Sequence, residues 1–154
     1  METGTKTEKL LKIIQSLADE QPIFFEVKGE GAGNLDTNRF MSEVRRAALM
    51  AFDYDHSEKR ICGNSSHAVD FYFEAEATIV EIALGIYLPN SEFEKDIFKA
   101  LLAQELSPVR RLVLVGKPSA VRVCARPGRT AVIDWALRRH GLQVEVFEIA
   151  NKHR

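Results

Sequence analysis

"DFYFEAEATIVEIALG", residues 70–85, is the stretch whose reading decides the fold. It is apolar enough for the middle of a sheet, yet it carries Asp70, Glu74, Glu76 and Glu81. A single strand over residues 68–87 would far exceed the usual length of about 5–6 residues. The economical reading is a hairpin folded about Ala75–Glu76, although "EAEA" holds no Gly or Asn to favour a tight turn. In that register Phe73 faces Thr78, Phe71 faces Val80 and Asp70 faces Glu81. Side chains alternate along a strand. Asp70, Tyr72 and Glu74 therefore share one face with Ile79, Glu81 and Ala83. Val69, Phe71 and Phe73 share the other with Val80, Ile82 and Leu84.

Opposed residues in such a pair stand with Cβ atoms roughly 4.5–5.5 Å apart, where like charges repel. Asp70 and Glu81 thus need a counter-charge or water. A divalent cation such as Mg²⁺ is one answer, because it takes hard oxygen ligands and is often held by one or two carboxylates plus phosphate. An Arg or Lys is a second, with Arg110 and Arg111 as candidates. Exposure of this face to solvent is the third, and geometry alone favours it.

Working outward, residues 5–20 carry an apolar stripe at helical spacing (Leu10, Ile13, Ile14, Leu17), and Thr5 and Glu8 have capping-box spacing. "PIFFEV" is predicted to be a strand and "GEGAGN" a flexible loop. A second helix is predicted over residues 37–52, with Phe40, Met41, Val44, Ala48 and Phe52 near one face. A short strand fits residues 59–62, followed by a turn at 63–66. After the hairpin, "SEFEKDIFKALLAQ" is a helix with Ser91 and Glu94 at capping-box spacing and Pro108 beyond its end. "RRLVLVG" has the unbroken apolar run of a strand buried on both faces. "RTAVIDWALRRHG" is a helix stopped by Gly141, and "LQVEVFEI" alternates as a closing strand. The last strands alternate with helices, so they should be parallel. The expectation is a single α/β domain over residues 1–154 with a mixed central sheet flanked by helices.

The 154 residues are 45% hydrophobic and 28% charged, the composition of an ordinary globular protein with room for a core. No apolar run approaches the roughly 18 residues of a membrane span. The N-terminal segment has no basic leader followed by a long apolar block. Cys62 and Cys124 fit no metal or redox spacing and read as free, buried thiols. A cytoplasmic location is the resulting expectation. The near-neutral charge hides a split. Residues 1–107 hold 11 Lys/Arg against 19 Asp/Glu, and residues 108–154 hold 10 against 3. A basic half beside an acidic half suits phosphate binding near an acidic site.

These residues resemble the PD-(D/E)XK nuclease superfamily, the restriction-endonuclease-like fold. In that family a helix precedes a three-stranded meander, the second strand starts with an Asp, and the third carries Glu-x-Lys. A helix and a strand follow. Residues 37–52 match the leading helix, "HAVDFYF" the Asp strand and "IVEIALG" the Glu strand. "SEFEKDIFKALLAQ" and "RRLVLVG" match the rest. The likeness covers about two thirds of the chain, as a nuclease-like core within residues 36–150. Residues 1–35 precede that core, and the basic tail is residues 151–154.

The resemblance implies that Asp70 and Glu81 are catalytic and bind Mg²⁺, with Glu43 on the leading helix as an accessory ligand. It also departs from the pattern. Val69 stands where Pro is common, and Ala83 stands where the family has its Lys. Ala can neither orient a water nor stabilise charge, which argues against full activity. Lys95 or Lys99 on the next helix could substitute, but simple loss is the expectation. Two functions follow from different classes. One is a metal-dependent nuclease or nuclease-derived nucleic-acid-binding protein. The other is a catalytically inactive α/β domain acting as a protein-interaction module.

Arg110, Arg111, Lys117, Arg122, Arg126 and Arg129 are the candidate contacts to a DNA or RNA backbone. Arg138 and Arg139 could add to them. No membrane partner is expected, and a homodimer is compatible with the chain. Glu26-Val27-Lys28 mimics Glu-x-Lys but has no Asp strand before it. Gly29, Gly31 and Gly33 lack dinucleotide-loop spacing. His67 reads as a surface residue and Trp135 as core.

Overall fold

The computed structural model describes residues 4–25, 33–88 and 92–152. The chain divides into two compact units, Met1–Asp55 with Ile149–Arg154 and His56–Glu148.

The first unit is helical. Helix α1 spans Lys6–Asp19, and the Thr5 side chain accepts from the Glu8 N–H at 3.1 Å, half of the expected capping box. Leu10, Ile14 and Ala18 form its buried stripe. Pro22–Phe25 forms a 3-10 turn rather than the expected strand. Proline has no N–H for a ladder, and its fixed φ suits a turn. The Phe24 N–H donates to Gln21 O, and the Phe24 ring lies 4.5 Å from Phe40. Glu26-Val27-Lys28 and residues 29–32 of the glycine-rich loop lie outside the described residues. Helix α2 spans Gly33–Phe52, starting earlier than periodicity suggests, and buries Phe40, Val44 and Ala48. Near the C-terminus, Gln15 and Ala150 exchange two hydrogen bonds, and Lys152 pairs with Asp19 at 3.4 Å. Of the basic tail, residues 153–154 lie outside the described residues.

The second unit is a five-stranded mixed sheet with flanking helices. Its elements are β1 (Ser57–Lys59), β2 (Val69–Phe73), β3 (Thr78–Ile82), α3 (Phe93–Ala103), β4 (Arg111–Gly116), α4 (Ala120–Cys124), α5 (Pro127–His140) and β5 (Gln143–Glu148). Strand order follows the sequence, β1-β2-β3-β4-β5. The pairs β1–β2 and β2–β3 are antiparallel, while β3–β4 and β4–β5 are parallel.

The hairpin adopts the expected register, with Phe71 opposite Val80 and Phe73 opposite Thr78. Its unusual turn is a 3-10 segment, Glu74–Glu76, closed by the Ala77 N–H donating to Glu74 O. Ala77 sits at φ 48°, so an alanine takes the left-handed position that glycine normally fills. Strand β1 both starts and ends earlier than the expected 59–62. Cys62 leaves the ladder to close a turn in which its carbonyl accepts from the Ser65 N–H, and its side chain enters the core.

On the face covered by α3 and α5, Tyr72, Ile79, Leu112 and Leu114 meet Phe93, Ile97, Ala100 and Ala136. Phe71, Phe73, Val80, Val113 and Val115 line the opposite face and are also buried. Helix α3 begins after Glu92, which makes no side-chain cap, and Ser91 lies outside the described residues. Helix α4 lies between the β4 strand and the next helix, where no element is expected from the sequence. Helix α5 follows it at once, because Pro127 suits a first turn. Gly141 caps α5 at φ 62°. Cys62 and Cys124 are free and buried. Among the described residues, no helix is long and apolar enough to cross a membrane.

Candidate functional site

Glu74 in the turn is exposed, but around Glu81 the acidic face of the hairpin is closed to water, which corrects the expectation from geometry alone. Helix α3 lies over it, and Glu81 is only 3% exposed. The counter-charge comes from that helix. Lys99 Nζ lies 2.6 Å from Glu81 Oε2, and Lys99 is itself 7% exposed. The arginines weighed for this role lie elsewhere. Arg111 pairs with Glu145 on β5 at 2.6 Å, and Arg110 is exposed.

Asp70 and Glu81 meet where the β2–β3 ladder would continue. The Asp70 N–H donates to Glu81 Oε1 at 2.7 Å, and the Ile82 N–H donates to Asp70 Oδ2 at 2.7 Å. Each carboxylate thus takes a backbone donor from the strand pair, which fixes its direction and lowers the cost of burial. Asp70 is half-buried.

A third acid completes the cluster. Asp96 stands one turn before Lys99 on α3, is 2% exposed, and places Oδ1 3.8 Å from Lys99 Nζ. That oxygen makes no hydrogen bond among the described residues. Burial pushes the Asp96 carboxyl up to about 9, aided by the charge of Glu81 and a hydrogen bond to it, with Lys99 opposing. Asp96 therefore holds its proton to higher pH than an ordinary carboxyl. For Lys99, burial opposes the charge, but Glu81, Asp96 and Asp70 together outweigh it and its pKa is raised. Lys99 is a fixed cation and cannot act as a base near neutrality.

Among the described residues, no three His, Cys, Asp or Glu side chains form a group that could hold a metal ion. Asp70 and Glu81 offer the carboxylate oxygens that a hard ion takes, but both Glu81 oxygens and Asp70 Oδ2 already accept hydrogen bonds. Glu43 lies on α2 in the first unit, where it accepts a hydrogen bond from Gln21. Lys95, the other substitute weighed, is exposed beside Glu92 at 3.5 Å. Ala83 continues the parallel pairing, its N–H donating to Val115 O at 2.8 Å.

The basic residues divide by what they touch. Arg129 donates to the carbonyls of Ile86 and Leu88 and lies 4.9 Å over the Phe93 ring, so it ties α5 to the β3–α3 connection. Arg122 and Arg126 are exposed on α4 and at the start of α5, Lys117 is half-buried just after β4, and Arg138 and Arg139 are exposed near the end of α5. His67 is exposed, as expected, whereas Trp135 is 37% exposed rather than core.

Neither the apolar periodicity nor the family pattern points to Asp96, and Lys99 enters the sequence reading only as a substitute for the missing lysine. Their positions were informative, because both fall among the apolar residues Phe93, Ile97, Ala100 and Ala103 that α3 buries. Charges inside a buried stripe signal partners across the interface.

Fold and site together define an α/β domain with a buried carboxylate–lysine cluster between a hairpin and the helix that follows it. No protein-family model, no curated protein and no solved structure matches the chain.

Proposed function

We propose that this chain is a metal-dependent phosphodiester hydrolase of the nuclease-like class, with the restriction-endonuclease-like fold. Asp70 and Glu81 are its acid pair, and Lys99 is the cation that Ala83 cannot supply. The observation that carries this reading is the 2.6 Å contact between Lys99 Nζ and Glu81 Oε2. It puts an ammonium beside the acid pair, from the helix rather than the strand. The element order supports it further. A three-strand meander carries Asp70 on its second strand and Glu81 on its third, and a helix and a parallel strand follow.

Asp70 and Glu81 would hold Mg²⁺, which supplies Lewis-acid polarisation of a phosphoryl oxygen and a more acidic bound water. Lys99, charged at neutral pH, stabilises negative charge developing on the phosphate and takes no proton. Arg110, Lys117, Arg122 and Arg126 are the candidate backbone contacts, and such contacts weaken steeply with salt.

One observation favours the inactive, protein-binding alternative: both Glu81 oxygens already accept hydrogen bonds inside a nearly closed cluster. Nicking of supercoiled plasmid and of single-stranded RNA, with Mg²⁺, Mn²⁺ or EDTA, separates the two. The expected result is metal-dependent cleavage that falls roughly 100-fold or more in Asp70→Asn, Glu81→Gln and Lys99→Met. Circular dichroism identifies which variants remain folded. A folded wild type that neither cleaves nor binds Mn²⁺ by calorimetry overturns the nuclease reading.

A further inference from the structure

Helices α3 and α5 lie on the same face of the sheet, and their C-terminal ends meet where Gln104 Nε2 donates to His140 O at 3.1 Å. Between them runs an apolar groove of about 280 Å³, lined by Glu94, Ile97 and Phe98 from α3 and Ala131, Val132 and Trp135 from α5. Phe98 is 61% exposed, and Leu102 and Trp135 extend the apolar strip. Large side chains gathered in one strip, rather than scattered, mark a contact surface. Aromatic anchors of this kind carry much of the energy of protein interfaces.

The charges around the groove name the occupant. On α3 the outward positions at helical spacing run Glu94, Phe98 and Leu102, and Glu105 follows just past the helix end. On α5 Ala131, Trp135 and then Arg138 and Arg139 follow at helical spacing, and Arg126 is the N-cap, five residues before Ala131. At its ends α3 therefore offers Glu94, with exposed Lys95 beside it, and Glu105, while its parallel neighbour offers Arg126 and Arg138 with Arg139 at its ends and exposed Asp134 between them. A two-fold axis along the groove lays α3 of one copy over α5 of the other. Glu94 then meets the Arg126 end of the partner helix, which is also its positive dipole end. Glu105 meets the partner's Arg138 and Arg139. An axis across the groove would instead set α3 on α3 and α5 on α5, where like charges face one another. The surface is thus complementary to itself in a single orientation, the requirement for a closed dimer.

We propose that the α3–α5 face is a homodimer interface, with α3 of each copy seated over α5 of its partner. The arrangement does not involve the acid pair, since neither Asp70 nor Glu81 lines the groove, but it takes Arg126 from the proposed backbone contacts to the interface.

Analytical ultracentrifugation of the full chain over a concentration series tests it, read beside the emission of Trp135, the single tryptophan. The expected result is a monomer–dimer equilibrium, with a blue shift of Trp135 emission as dimer forms. Phe98→Glu, at an exposed position, should weaken association by roughly tenfold or more. Glu94→Arg/Glu105→Arg and Arg126→Glu/Arg138→Glu/Arg139→Glu should each be monomeric alone, whereas their equimolar mixture should form a heterodimer. In that mixture one contact keeps native charges and the other has both signs reversed. A chain that stays monomeric at high micromolar concentration, with unchanged emission, overturns the proposal. So does a dimer that survives Phe98→Glu, or charge variants that fail to complement.

Discussion

Lys99 and Glu81 are joined by a 2.6 Å ion pair that links the middle of α3 to the third strand of the sheet, eighteen residues earlier. Both side chains are over 90% buried. The pair therefore ties the helix to the sheet by charge, with Asp96 and Asp70 beside it, inside an otherwise apolar interface.

Breaking one side of such a buried pair leaves an uncompensated charge. Lys99→Met is expected to destabilise the domain by about 3–5 kcal/mol, and Lys99→Met/Glu81→Leu to recover most of that loss. Urea unfolding of the single and double variants measures this. A double variant no more stable than Lys99→Met would deny the coupling.

Asp96 makes stability depend on pH with a definite sign. Its carboxyl is pushed up to about 9 in the folded protein, against roughly 3.9 in an unfolded chain. Between those values the folded state binds the extra proton, so this contribution is whole below pH 4 and is lost as pH rises toward 9. Metal-free wild type should lose on the order of 1 kcal/mol per pH unit relative to Asp96→Asn across that window. Parallel unfolding curves for the two proteins at pH 5, 7 and 8.5 check it, and parallel pH slopes would refute it.

Gly116 ends β4 in a place with no room for a methyl group. An added Cβ would lie 2.6 Å from Ala120 Cβ and 2.7 Å from Ile86 Cγ2. Gly116→Ala is expected to cost about 1–3 kcal/mol through forced shifts of α4 and the β3–α3 connection. A melting temperature equal to wild type would count against this tight approach.

Ala77 holds a left-handed conformation in the hairpin turn. Ala77→Gly should stabilise by up to about 1 kcal/mol, and Ala77→Val should cost about 1–2 kcal/mol. Opposite signs in chemical denaturation are the expected signature. Equal effects of the two substitutions would speak against the strained turn.

Much of the fold was legible because periodicity reports burial. The hairpin register followed from alternation of Phe71 and Phe73 against Val80 and Thr78, since a one-residue slip would turn Asp70 and Glu81 onto the other face. The β4 run and the α5–β5 unit were equally plain. "PIFFEV" misled because a short apolar run fits a strand and a turn alike, and Pro22 favoured the turn. Trp135 misled because an amphipathic helix has an edge, and the side chain lies there beside Phe98 rather than beneath it.

Residue types and spacing alone determined the α/β class, the acid pair on adjacent strands and the absence of lysine at position 83. Tertiary structure decided which cation serves those acids. Strand pairing repeats every two residues and can be counted along the chain. The reach of Lys99 to Glu81 depends instead on how α3 crosses the sheet, and that is set by packing of Phe93, Ile97 and Ala100 against Tyr72, Ile79 and Leu112, residues far apart in sequence.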